Sequence, residues 1–372
     1  MVNKGGISIE EMRKLLNKKA GMTVAHNLKE ENPTEVTEWI PTGSHWLDSI
    51  ICRGQRAGIP VGKVTEIAGL EATGKSYMAA KIAANAQKMG ITVAYFDSES
   101  AIDPSFLENA GCDVENLIYV QAQSVEMVLE SIEEFLKTGG KFLFVWDSLA
   151  LTPSINDVEG DFNPMSQMAV KARILAKAMS KLTIPIANTE STFLVLNQLK
   201  TNITRNPNMA LVEPYVTPGG KAMIYAYSLR IWLTGRKSKA AYIQDDNGFR
   251  IGSEVKSTLK KSRFGTQGRQ ATFKILWGDE VRILDEESWL EAIKASEHIT
   301  IKGAWYSLDM GNGEVQKFQP GRWMEKMKDE TFRARVLEVM DQHVVQNFKA
   351  RQGNPEDFYD VDGDENEDKP AL

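Results

Sequence analysis

The residues whose types and spacing most clearly imply chemistry are the eight from Gly69 to Ser76, which read Gly-Leu-Glu-Ala-Thr-Gly-Lys-Ser. They match the G-x-x-x-x-G-K-[ST] pattern of a phosphate-binding loop. The two glycines let the backbone curl so that its N–H groups point at an anion, and a following helix directs its positive end to the same anion. Lys75 adds a positive charge beside the β- and γ-phosphates, and the Ser76 hydroxyl can ligate Mg²⁺. The sequence therefore predicts binding of a nucleoside triphosphate.

Two apolar runs elsewhere end in carboxylates that could serve a bound triphosphate. Phe142–Trp146 leads into Asp147, and parallel strands deliver such residues to a ligand crevice at their carboxyl ends. There Asp147 could hold Mg²⁺, directly or through water. Another predicted strand ends at Asp97, and Glu99 after it could orient and deprotonate the attacking water. Spacing alone leaves open the alternative that Asp97 or Ser98 only caps a helix.

A third apolar run ends in two amides, Asn197 and Gln198. An amide here could hydrogen-bond a γ-phosphate and change rotamer when the phosphate leaves. The next segment, residues 199–219, contains several Asn and Pro residues and predicts a loop of about 20 residues, a length that is usually functional or disordered in compact domains. The pattern therefore favours a nucleotide sensor coupled to a functional loop.

Strands and helices that alternate along the chain predict an α/β fold with a mostly parallel central sheet and helices on both faces. The predicted strands are Val64–Ala68, Val93–Asp97, Leu117–Val120, Phe142–Trp146, Phe193–Asn197 and Leu229–Leu233. The predicted helices between them are Ser76–Met89, Ser124–Leu136 and Pro164–Leu182. Two later strands, Ser253–Leu259 and Gln270–Leu276, predict an antiparallel pair at one edge.

Smaller units flank this core. Residues Ile7–Lys19 predict an amphipathic helix that is too small to fold alone and must pack on the main body or on a neighbouring subunit. Its apolar side consists of Ile9, Met12, Leu15 and Leu16. Beyond Ile283 the pattern predicts a small domain with helices over 286–296, 320–329 and 330–348 and a short strand at 303–306.

Composition and charge are those of a globular protein without a membrane span, a signal peptide or a disulfide framework, which predicts a cytoplasmic location. The net charge is −6, but the segment Glu356–Leu372 alone has eight acidic residues and one lysine, or −7, which leaves +1 for the rest. Such a tail is most simply a solvated, disordered segment. It could also compete with nucleic acid for a basic groove, and the two interpretations are compatible.

Seven segments occur in an order that resembles bacterial RecA recombinases. They are Ile40–Ser44, Gly69–Ser76, Asp97–Pro104, Val145–Pro153, Asn197–Gln198, Thr217–Lys221 and Gly303–Ser307. The resemblance covers roughly residues 40 to 350. Lys261-Ser262-Arg263 and the short N-terminal arm look most similar to phage recombinases of the UvsX type.

The resemblance implies ATP and Mg²⁺ as cofactors and assigns roles to residues. Glu99 matches the catalytic glutamate, and Gln198 matches the γ-phosphate sensor. Lys261 and Arg263 match two basic residues that reach the γ-phosphate of the neighbouring subunit, as arginine fingers do. The residues implied around the nucleotide are Gly69, Glu71, Ala72, Thr73, Gly74, Lys75, Ser76 and Tyr77 at the phosphates, Asp103 and Phe106 at the adenine, and Asp147 with Ser76 at Mg²⁺.

Two loops would bind DNA according to the same resemblance. The first spans about residues 157–167 and leads into a helix, and the second is the 199–219 loop. Apolar wedges and backbone amides read no sequence, which suits a protein that must accept any strand. The implied DNA-binding residues are Met168, Arg173, Lys200, Ile203, Gly219 and Gly220. Met168 also begins an apolar helical stripe with Ala172, Leu175, Met179 and Leu182, so a core role for it remains open.

This chain departs from the bacterial pattern in three places. The first loop has an apparent one-residue insertion near Asn163–Pro164, Arg263 replaces a lysine, and Ser100 replaces a histidine. None of these changes removes the ATPase residues. The insertion bears on the individual DNA contacts of the first loop.

The resemblance implies a recombinase that forms homo-oligomeric helical filaments on single-stranded DNA and pairs it with double-stranded DNA. Single-strand-binding and mediator proteins would be further partners. A ring helicase of the same core fold is the main alternative, and a non-enzymatic paralogue that uses ATP only for assembly is another. We divide the chain into an oligomerisation arm (1–41), an ATPase and DNA-binding core (42–282), a C-terminal α+β domain (283–355) and an acidic disordered tail (356–372).

Overall fold

The computed structural model describes residues 7–21, 23–30, 32, 34–100, 102–160, 168–203, 213–235, 241–277 and 281–345. The helices are α1 Ile9–Ala20, α2 His45–Ile51, α3 Lys75–Lys88, α4 Pro104–Ala110, α5 Val125–Lys137, α6 Ile155–Glu159, α7 Met168–Asn188, α8 Gly220–Ala226, α9 Trp289–Ile293, α10 Trp323–Lys326 and α11 Glu330–His343. None of them has the length and apolarity that crossing a bilayer requires.

The strands fall into one large sheet and three small ones. They are β1 Trp39–Ile40, β2 Ile59–Pro60, β3 Val64–Gly69, β4 Thr92–Asp97, β5 Leu117–Gln121, β6 Phe142–Asp147, β7 Thr192–Gln198, β8 Lys200–Thr201, β9 Tyr215–Val216, β10 Leu229–Gly235, β11 Tyr242–Gln244, β12 Arg250–Ser262, β13 Gln270–Trp277, β14 Val281–Leu284, β15 Ile299–Lys302, β16 Trp305–Asp309 and β17 Val315–Phe318. All six predicted core strands are present within one or two residues of their predicted ends.

The large sheet has the order β14-β13-β12-β10-β3-β7-β6-β4-β5, with β11 paired to β12. Strands β10, β3, β7, β6, β4 and β5 run parallel, and β12, β13 and β14 continue the sheet antiparallel. The predicted antiparallel pairing of β12 with β13 is thus confirmed. Because β3 lies between β10 and β7, the carboxyl ends of three central strands meet at one edge.

Helices cover both faces of this sheet, as predicted. On one face, α3 packs against β3, β4, β6 and β7, α2 packs against β12 and β13, and α4 packs against α3 and β14. On the other face, α5 packs against β6, α7 packs against β7, and α8 packs against α7. Residues such as Ile67 and Phe193 are fully buried. Burial of this apolar surface is the main free-energy term that holds the helices in place.

Helix α1 is well defined locally but has no buried residue. Ser8 and Glu11 form a capping box at its start, and Gly21 ends it with φ +69°. The four apolar side chains predicted to form one side are between 45% and 76% exposed. In the structure, this apolar side is therefore not buried against the described part of the main body.

The C-terminal unit contains the three-stranded antiparallel sheet β15-β16-β17 and helices α9 to α11. The rings of Phe318, Trp323 and Phe332 pack with centroid distances of 5.5 to 5.7 Å. The predicted strand at 303–306 is only half correct, because Gly303, with φ +59°, and Ala304 form the turn before β16. Strand β14 ends at Leu284, two residues past the predicted domain boundary, and pairs with the core.

Several predicted helices differ in extent. The 286–296 and 320–329 segments each begin with a short 3₁₀ turn and contain only α9 and α10. Helix α7 continues past the predicted end at Leu182 and through Pro185. Proline removes one helical hydrogen bond, and burial of Ile186 on the core offsets that loss. The predicted acidic tail and the insertion near 163–164 lie outside the described residues.

Candidate nucleotide site and DNA-binding loops

The glycine-rich loop between β3 and α3 has two positions where a side chain does not fit. A Cβ on Gly69 would lie 2.5 Å from the Thr73 hydroxyl oxygen, and one on Gly74 would lie 2.6 Å from Ile275 Cδ1. Gly74 has φ +77°, and Ala72 has φ +54°, which is strained for a residue with a side chain. The N-cap residue Gly74 makes no side-chain hydrogen bond, so the amino end of α3 can face an anion.

Lys75 lies inside the curl of this loop. Its Nζ donates a hydrogen bond to the Leu70 carbonyl oxygen at 2.8 Å. Burial lowers the pKa of Lys75, and the charges of Asp147, Glu99 and Glu71 act in the opposite direction. The carboxylates predicted to serve the triphosphate are therefore close enough to influence the lysine that would bind it.

Asp147 ends β6 at the same edge of the sheet and is almost fully buried. The Tyr95 hydroxyl donates to its Oδ2 at 3.1 Å, and Ser76 also makes a side-chain hydrogen bond to it. Burial raises the pKa of Asp147, and these two hydrogen bonds lower it. A carboxylate and a hydroxyl are oxygen donors of the kind that Mg²⁺ prefers.

Mg²⁺ commonly binds through one or two carboxylates, with substrate phosphates and water completing its shell. The described part of the chain holds no cluster of three or more His, Cys, Asp or Glu residues that could bind a metal by itself. Ser76 and Asp147 therefore fit a magnesium ion that arrives with phosphate groups.

Glu99 and Asp97 have different surroundings at the end of β4. The carboxylate of Asp97 is buried and accepts hydrogen bonds from the N–H groups of Glu99 and Ile102 and from the Tyr119 hydroxyl. These hydrogen bonds stabilise the turn that follows β4. Glu99 is exposed, and its Oε1 accepts a hydrogen bond from the Ser148 hydroxyl at 3.4 Å.

The carboxylate of Glu99 lines a cavity of about 190 Å³ together with Ser76, Phe106 and Asp147. The alternative of Asp97 or Ser98 as a helix cap is wrong, because the residue that caps α4 is Asp103. Four of the predicted nucleotide residues thus share one cavity.

The predicted base-binding residues lie on α4. The carboxylate of Asp103 accepts hydrogen bonds from the hydroxyl and backbone N–H of Ser105, which lower its pKa. The Phe106 ring lies 6.4 Å from the Tyr77 ring, edge to face. Burial raises the pKa of Tyr77 to about 12, and the nearby charge of Arg282 on β14 opposes this shift. Arg282 was not predicted as a neighbour of this site, since nothing in its local sequence indicates that β14 packs beside α4 and near Tyr77.

Gln198 ends β7 directly beside the phosphate loop. In the parallel pairing of β3 with β7, its Cα is the partner of that of Gly69. The N–H of Leu199 then donates to the Gly69 carbonyl at 3.1 Å. The second predicted DNA-binding loop therefore starts at the phosphate loop itself.

This second loop has a structured base. Strands β8 and β9 pair antiparallel, and the N–H of Asn202 donates to the Pro214 carbonyl at 2.9 Å. Lys200 is exposed, and Ile203 is 96% exposed. The predicted loop is thus a hairpin at its root, and residues 204–212 lie outside the described residues.

The loop ends at Gly219 and Gly220, which have φ of +109° and +79°. Helix α8 starts here without a side-chain cap, so its first N–H groups remain available. A Cβ on Gly220 would lie 3.3 Å from that of Ala172, which places the end of the second loop against α7.

Helix α7 follows the first predicted DNA-binding loop and contains Met168 and Arg173. The start of that loop is helical, since α6 spans Ile155–Glu159, and residues 161–167 lie outside the described part. Arg173 is exposed. Leu175, Met179 and Leu182 are buried, so the stripe is core at these positions. The side chain of Met168 lies outside the described residues, and its two predicted roles remain open.

Lys171 was not predicted to have a structural role. Its position on the same side of α7 as the buried residues Leu175 and Leu182 could have indicated one. Its Nζ donates to the carbonyls of Leu149 and Thr152, both at 2.6 Å. Burial lowers its pKa to about 8. Lys171 thereby ties α7 to the segment that directly follows Asp147.

Lys261 and Arg263 lie near the amino end of strand β10, whereas the phosphate loop lies towards the carboxyl ends of the parallel strands. Lys261 pairs with Arg230 near the start of β10, whereas Gly69 pairs with Leu233 three residues further along the same strand. Each residue of a strand advances about 3.3 Å, and β12 runs antiparallel to β10, so Arg263 lies further away still.

Both cations contact the last carbonyls of α8. The Nζ of Lys261 donates to those of Ile224 and Tyr225 at 2.7 and 3.1 Å, and Arg263 donates to that of Tyr225 at 2.7 Å. Burial, followed by the charges of Arg263 and Arg230, lowers the pKa of Lys261 to about 8. The two residues are thus close together, on a surface remote from the nucleotide site of their own subunit.

The parallel sheet, the glycine-rich loop before α3 and the carboxylates at the strand ends define a phosphate-loop nucleoside triphosphatase. The family model of the RecA N-terminal domain matches residues 7–282. The chain is 32% identical to Protein RecA of Colwellia psychrerythraea over 285 residues, which cover 76% of this chain and 77% of that protein. It is 30% identical to Protein RecA of Thermus thermophilus over 342 residues, covering 91% and 96% of the two chains.

The chain belongs to the RecA family. It is a RecA-like recombinase and a DNA-dependent ATPase, with a function in DNA recombination and repair. The family binds ATP and DNA and forms filaments. The match to RecA proteins over most of the chain favours a recombinase over the two alternatives, a ring helicase and a non-enzymatic paralogue.

Proposed function

We propose that ATP binds with Mg²⁺ at the edge of the sheet where β3, β6 and β7 end. Lys75 binds the phosphates, and Ser76 and Asp147 hold the metal ion, which supplies charge neutralisation at the phosphates. The adenine lies against Phe106, with Asp103 near its amino group. The remaining phosphate-loop residues proposed to line the site are Gly69, Glu71, Ala72, Thr73, Gly74 and Tyr77. The cavity that Ser76, Phe106 and Asp147 line together supports this arrangement.

Glu99 is the proposed general base. It accepts a proton from water as the water oxygen forms a bond to the γ-phosphorus and the bond to the β–γ bridging oxygen breaks, which leaves ADP and phosphate. Its exposed carboxylate at the cavity supports this role. Gln198 is proposed to contact the γ-phosphate, because its backbone lies beside Gly69.

Lys261 and Arg263 are proposed to complete the site of the neighbouring subunit. The observation that carries the proposal is their place near the amino end of β10, away from their own phosphate loop. A cation at this position can reach a triphosphate only when a second copy brings its own site to that surface. Hydrolysis would then depend on assembly.

The exposed apolar side of α1 supports the same filament. Ile9 and Leu15, for example, are 76% and 55% exposed, and a stripe of this kind normally packs on another surface. We assign it to a neighbouring copy. The division into arm, core, C-terminal domain and acidic tail, at residues 41, 282 and 355, is part of this proposal.

The two loops are proposed to bind single-stranded DNA and to present it to double-stranded DNA. The proposed contacts are Met168, Arg173, Lys200, Ile203, Gly219 and Gly220. The exposure of Lys200 and Ile203 and the open N–H groups at Gly219 support contacts that read no sequence. Membership of the phage UvsX-type subgroup is proposed on the Lys261-Ser262-Arg263 segment. Partnership with single-strand-binding and mediator proteins is proposed on the resemblance to recombinases.

A direct test measures ATP turnover with and without a homopolymeric single-stranded oligonucleotide, and images the same samples by electron microscopy. We expect DNA to raise the rate at least about tenfold, since assembly brings the partner's cations to each site. Open helical filaments should appear with ATP and DNA. Equal rates in the two samples, or closed rings in place of filaments, would refute the proposal.

ATP turnover should fall as pH rises above about 8, because Lys261, whose pKa is lowered to about 8, loses its charge there. A bound triphosphate favours the charged form, so the fall begins above that value. Between pH about 7.5 and 9.5 we expect a decrease of about tenfold. Turnover of the wild type across this range is the measurement, and Lys261→Arg is the matched control, since a guanidinium remains charged.

Deprotonation of Lys261 does not itself destabilise the fold. Because the folded pKa of Lys261 is lower than that of the unfolded chain, the unfolded state binds more protons between pH 8 and 10.5, and this group increases the free energy of unfolding as pH rises there. Unfolding temperatures recorded at each pH check this point. Identical pH profiles for the wild type and Lys261→Arg would show that another group sets the limit.

A further inference from the structure

Three polar side chains form a buried cluster between the phosphate loop and the second DNA loop. Glu66 on β3 and Asn197 on β7 are fully buried, and Arg230 on β10 is 5% exposed. Arg230 Nε donates to Glu66 Oε2 at 2.6 Å, and Asn197 Nδ2 donates to Glu66 Oε1 at 3.0 Å. Each strand thus contributes one member, and the Glu66 carboxylate joins the other two.

The same two donors also hold the root of the loop. Arg230 Nη2 donates to the Thr217 hydroxyl oxygen at 2.8 Å, and Asn197 Nδ2 donates to the Pro218 carbonyl at 3.0 Å. Thr217 and Pro218 directly precede Gly219 and Gly220. The cluster therefore fixes the segment from which the N–H groups proposed to meet DNA project.

Asn197 is also the neighbour of the proposed γ-phosphate sensor. Its Oδ1 accepts a hydrogen bond from the backbone N–H of Gln198 at 3.0 Å. Through this bond the Asn197 amide connects the backbone of Gln198 with Glu66 and with the loop root at Pro218. One side chain thus makes contact with the nucleotide side and with the DNA side.

Stability alone does not account for a charged pair at this place. Removing two charges from water is costly, and replacing a buried ion pair by apolar residues is often neutral or stabilising. The guanidinium of Arg230 is packed 5.7 Å from the ring centroids of both Tyr227 and Trp232, so its direction is fixed. A fixed donor aimed at a loop residue is what a positioning role requires.

We infer that Glu66, Arg230 and Asn197 are positioning residues that couple the nucleotide state at Gln198 to the DNA-binding loop through Thr217 and Pro218. The inference rests on the proposed function, because it takes Gln198 as the sensor and residues 199–219 as a DNA loop. Coupling of this kind is a difference in DNA affinity between two nucleotide states.

The test uses Thr217→Val, which removes the acceptor of Arg230 at the loop and leaves the Glu66–Arg230 pair intact. The dissociation constant of a labelled single-stranded oligonucleotide is measured with a non-hydrolysable ATP analogue and with ADP, and the ratio of the two values is compared. We expect the ratio to fall about tenfold, the effect of losing one hydrogen bond to a charged group. Binding of the analogue without DNA should not change.

Two control variants separate positioning from folding. Thr217→Ser keeps the hydroxyl and should restore the wild-type ratio. Thr65→Val removes a buried hydroxyl on the same strand as Glu66 that makes no hydrogen bond to the described residues, and should also leave the ratio unchanged. The unfolding temperature of each variant should stay well above the temperature of the binding assay, so that all of them are compared in the folded state.

The outcomes distinguish this inference from the proposed function. A wild-type ratio of one would overturn the proposed function and the inference with it. A wild-type protein with a large ratio and a Thr217→Val protein with the same ratio would overturn the inference alone. A ratio lowered to the same extent by Thr217→Ser would assign the effect to packing and would also overturn it.

Discussion

A Glu99→Gln protein is expected to bind ATP and DNA but to hydrolyse ATP at least about 100-fold more slowly than the wild type, since a general base contributes 10² to 10⁴ in rate. Glutamine preserves the size of the side chain and can still accept the hydrogen bond from the Ser148 hydroxyl, but it cannot take a proton from water. Nucleotide binding by fluorescence and turnover by phosphate release measure the two properties separately. Filaments formed with ATP should consequently persist longer on DNA.

Glu108→Gln is the matched control, because Glu108 is an exposed carboxylate on the neighbouring helix α4 and lies outside the cavity. It should hydrolyse ATP at the wild-type rate. Wild-type turnover by the Glu99→Gln protein would show that Glu99 is not the general base, and Asp97 would be the next residue to examine. Because Asp97 holds the turn through three hydrogen bonds, its replacement should lower the unfolding temperature as well.

The central fold was predictable because β4, β5, β6 and β7 each contain an uninterrupted apolar run that is followed by a polar residue. Residues such as Asp147 and Gln198 stand where a buried strand reaches the edge of the sheet, so the same pattern predicts the strand and its functional end. Helix ends were less accurate, as at Pro185, because burial of later residues outweighs local preference. The order of the strands is a property of tertiary pairing that the pattern alone does not contain.

Features that depend on distant parts of the chain were not predictable from local sequence. The charge of Arg282 acts on Tyr77 only because β14 pairs with the core sheet. Asp285, which is distant in sequence, accepts hydrogen bonds from the N–H groups of His45 and Trp46 at the start of α2. The buried ion pair, in contrast, has an indication in the sequence itself. Glu66 and Arg230 are each the single charged residue of an otherwise uncharged buried strand, and a charge in that position needs a partner.

The family resemblance gave the roles, and the structure adds their physical basis. Nothing in the spacing of Lys261 and Arg263 shows which nucleotide they face. The register of β12 on β10 places them away from their own phosphate loop, and that geometry predicts a site divided between two subunits.

Mixing two inactive variants should therefore restore ATP turnover. A Lys75→Ala protein lacks the phosphate-binding lysine, and a Lys261→Ala/Arg263→Ala protein lacks the cations offered to the neighbour. Each alone should be at least about 10³-fold slower than the wild type, as for loss of an arginine finger. In an equal mixture, a head-to-tail filament contains interfaces where the intact site of one variant meets the intact cations of the other. Random assembly makes up to about a quarter of the interfaces active.

A second mixture tells a divided site from a general effect of assembly. Glu99 and Lys75 belong to the same site, so Glu99→Gln mixed with Lys75→Ala leaves every interface with a defective site and should stay inactive. Turnover in the presence of single-stranded DNA is measured for both mixtures at several ratios, and the recovery in the first should be greatest near equal amounts. Absence of recovery in the first mixture, or equal recovery in both, would contradict the assignment of Lys261 and Arg263 to the neighbouring nucleotide. Recovery in the first mixture alone would show that the site that hydrolyses ATP is completed only between subunits, which makes the triphosphate a link in the filament as well as its substrate.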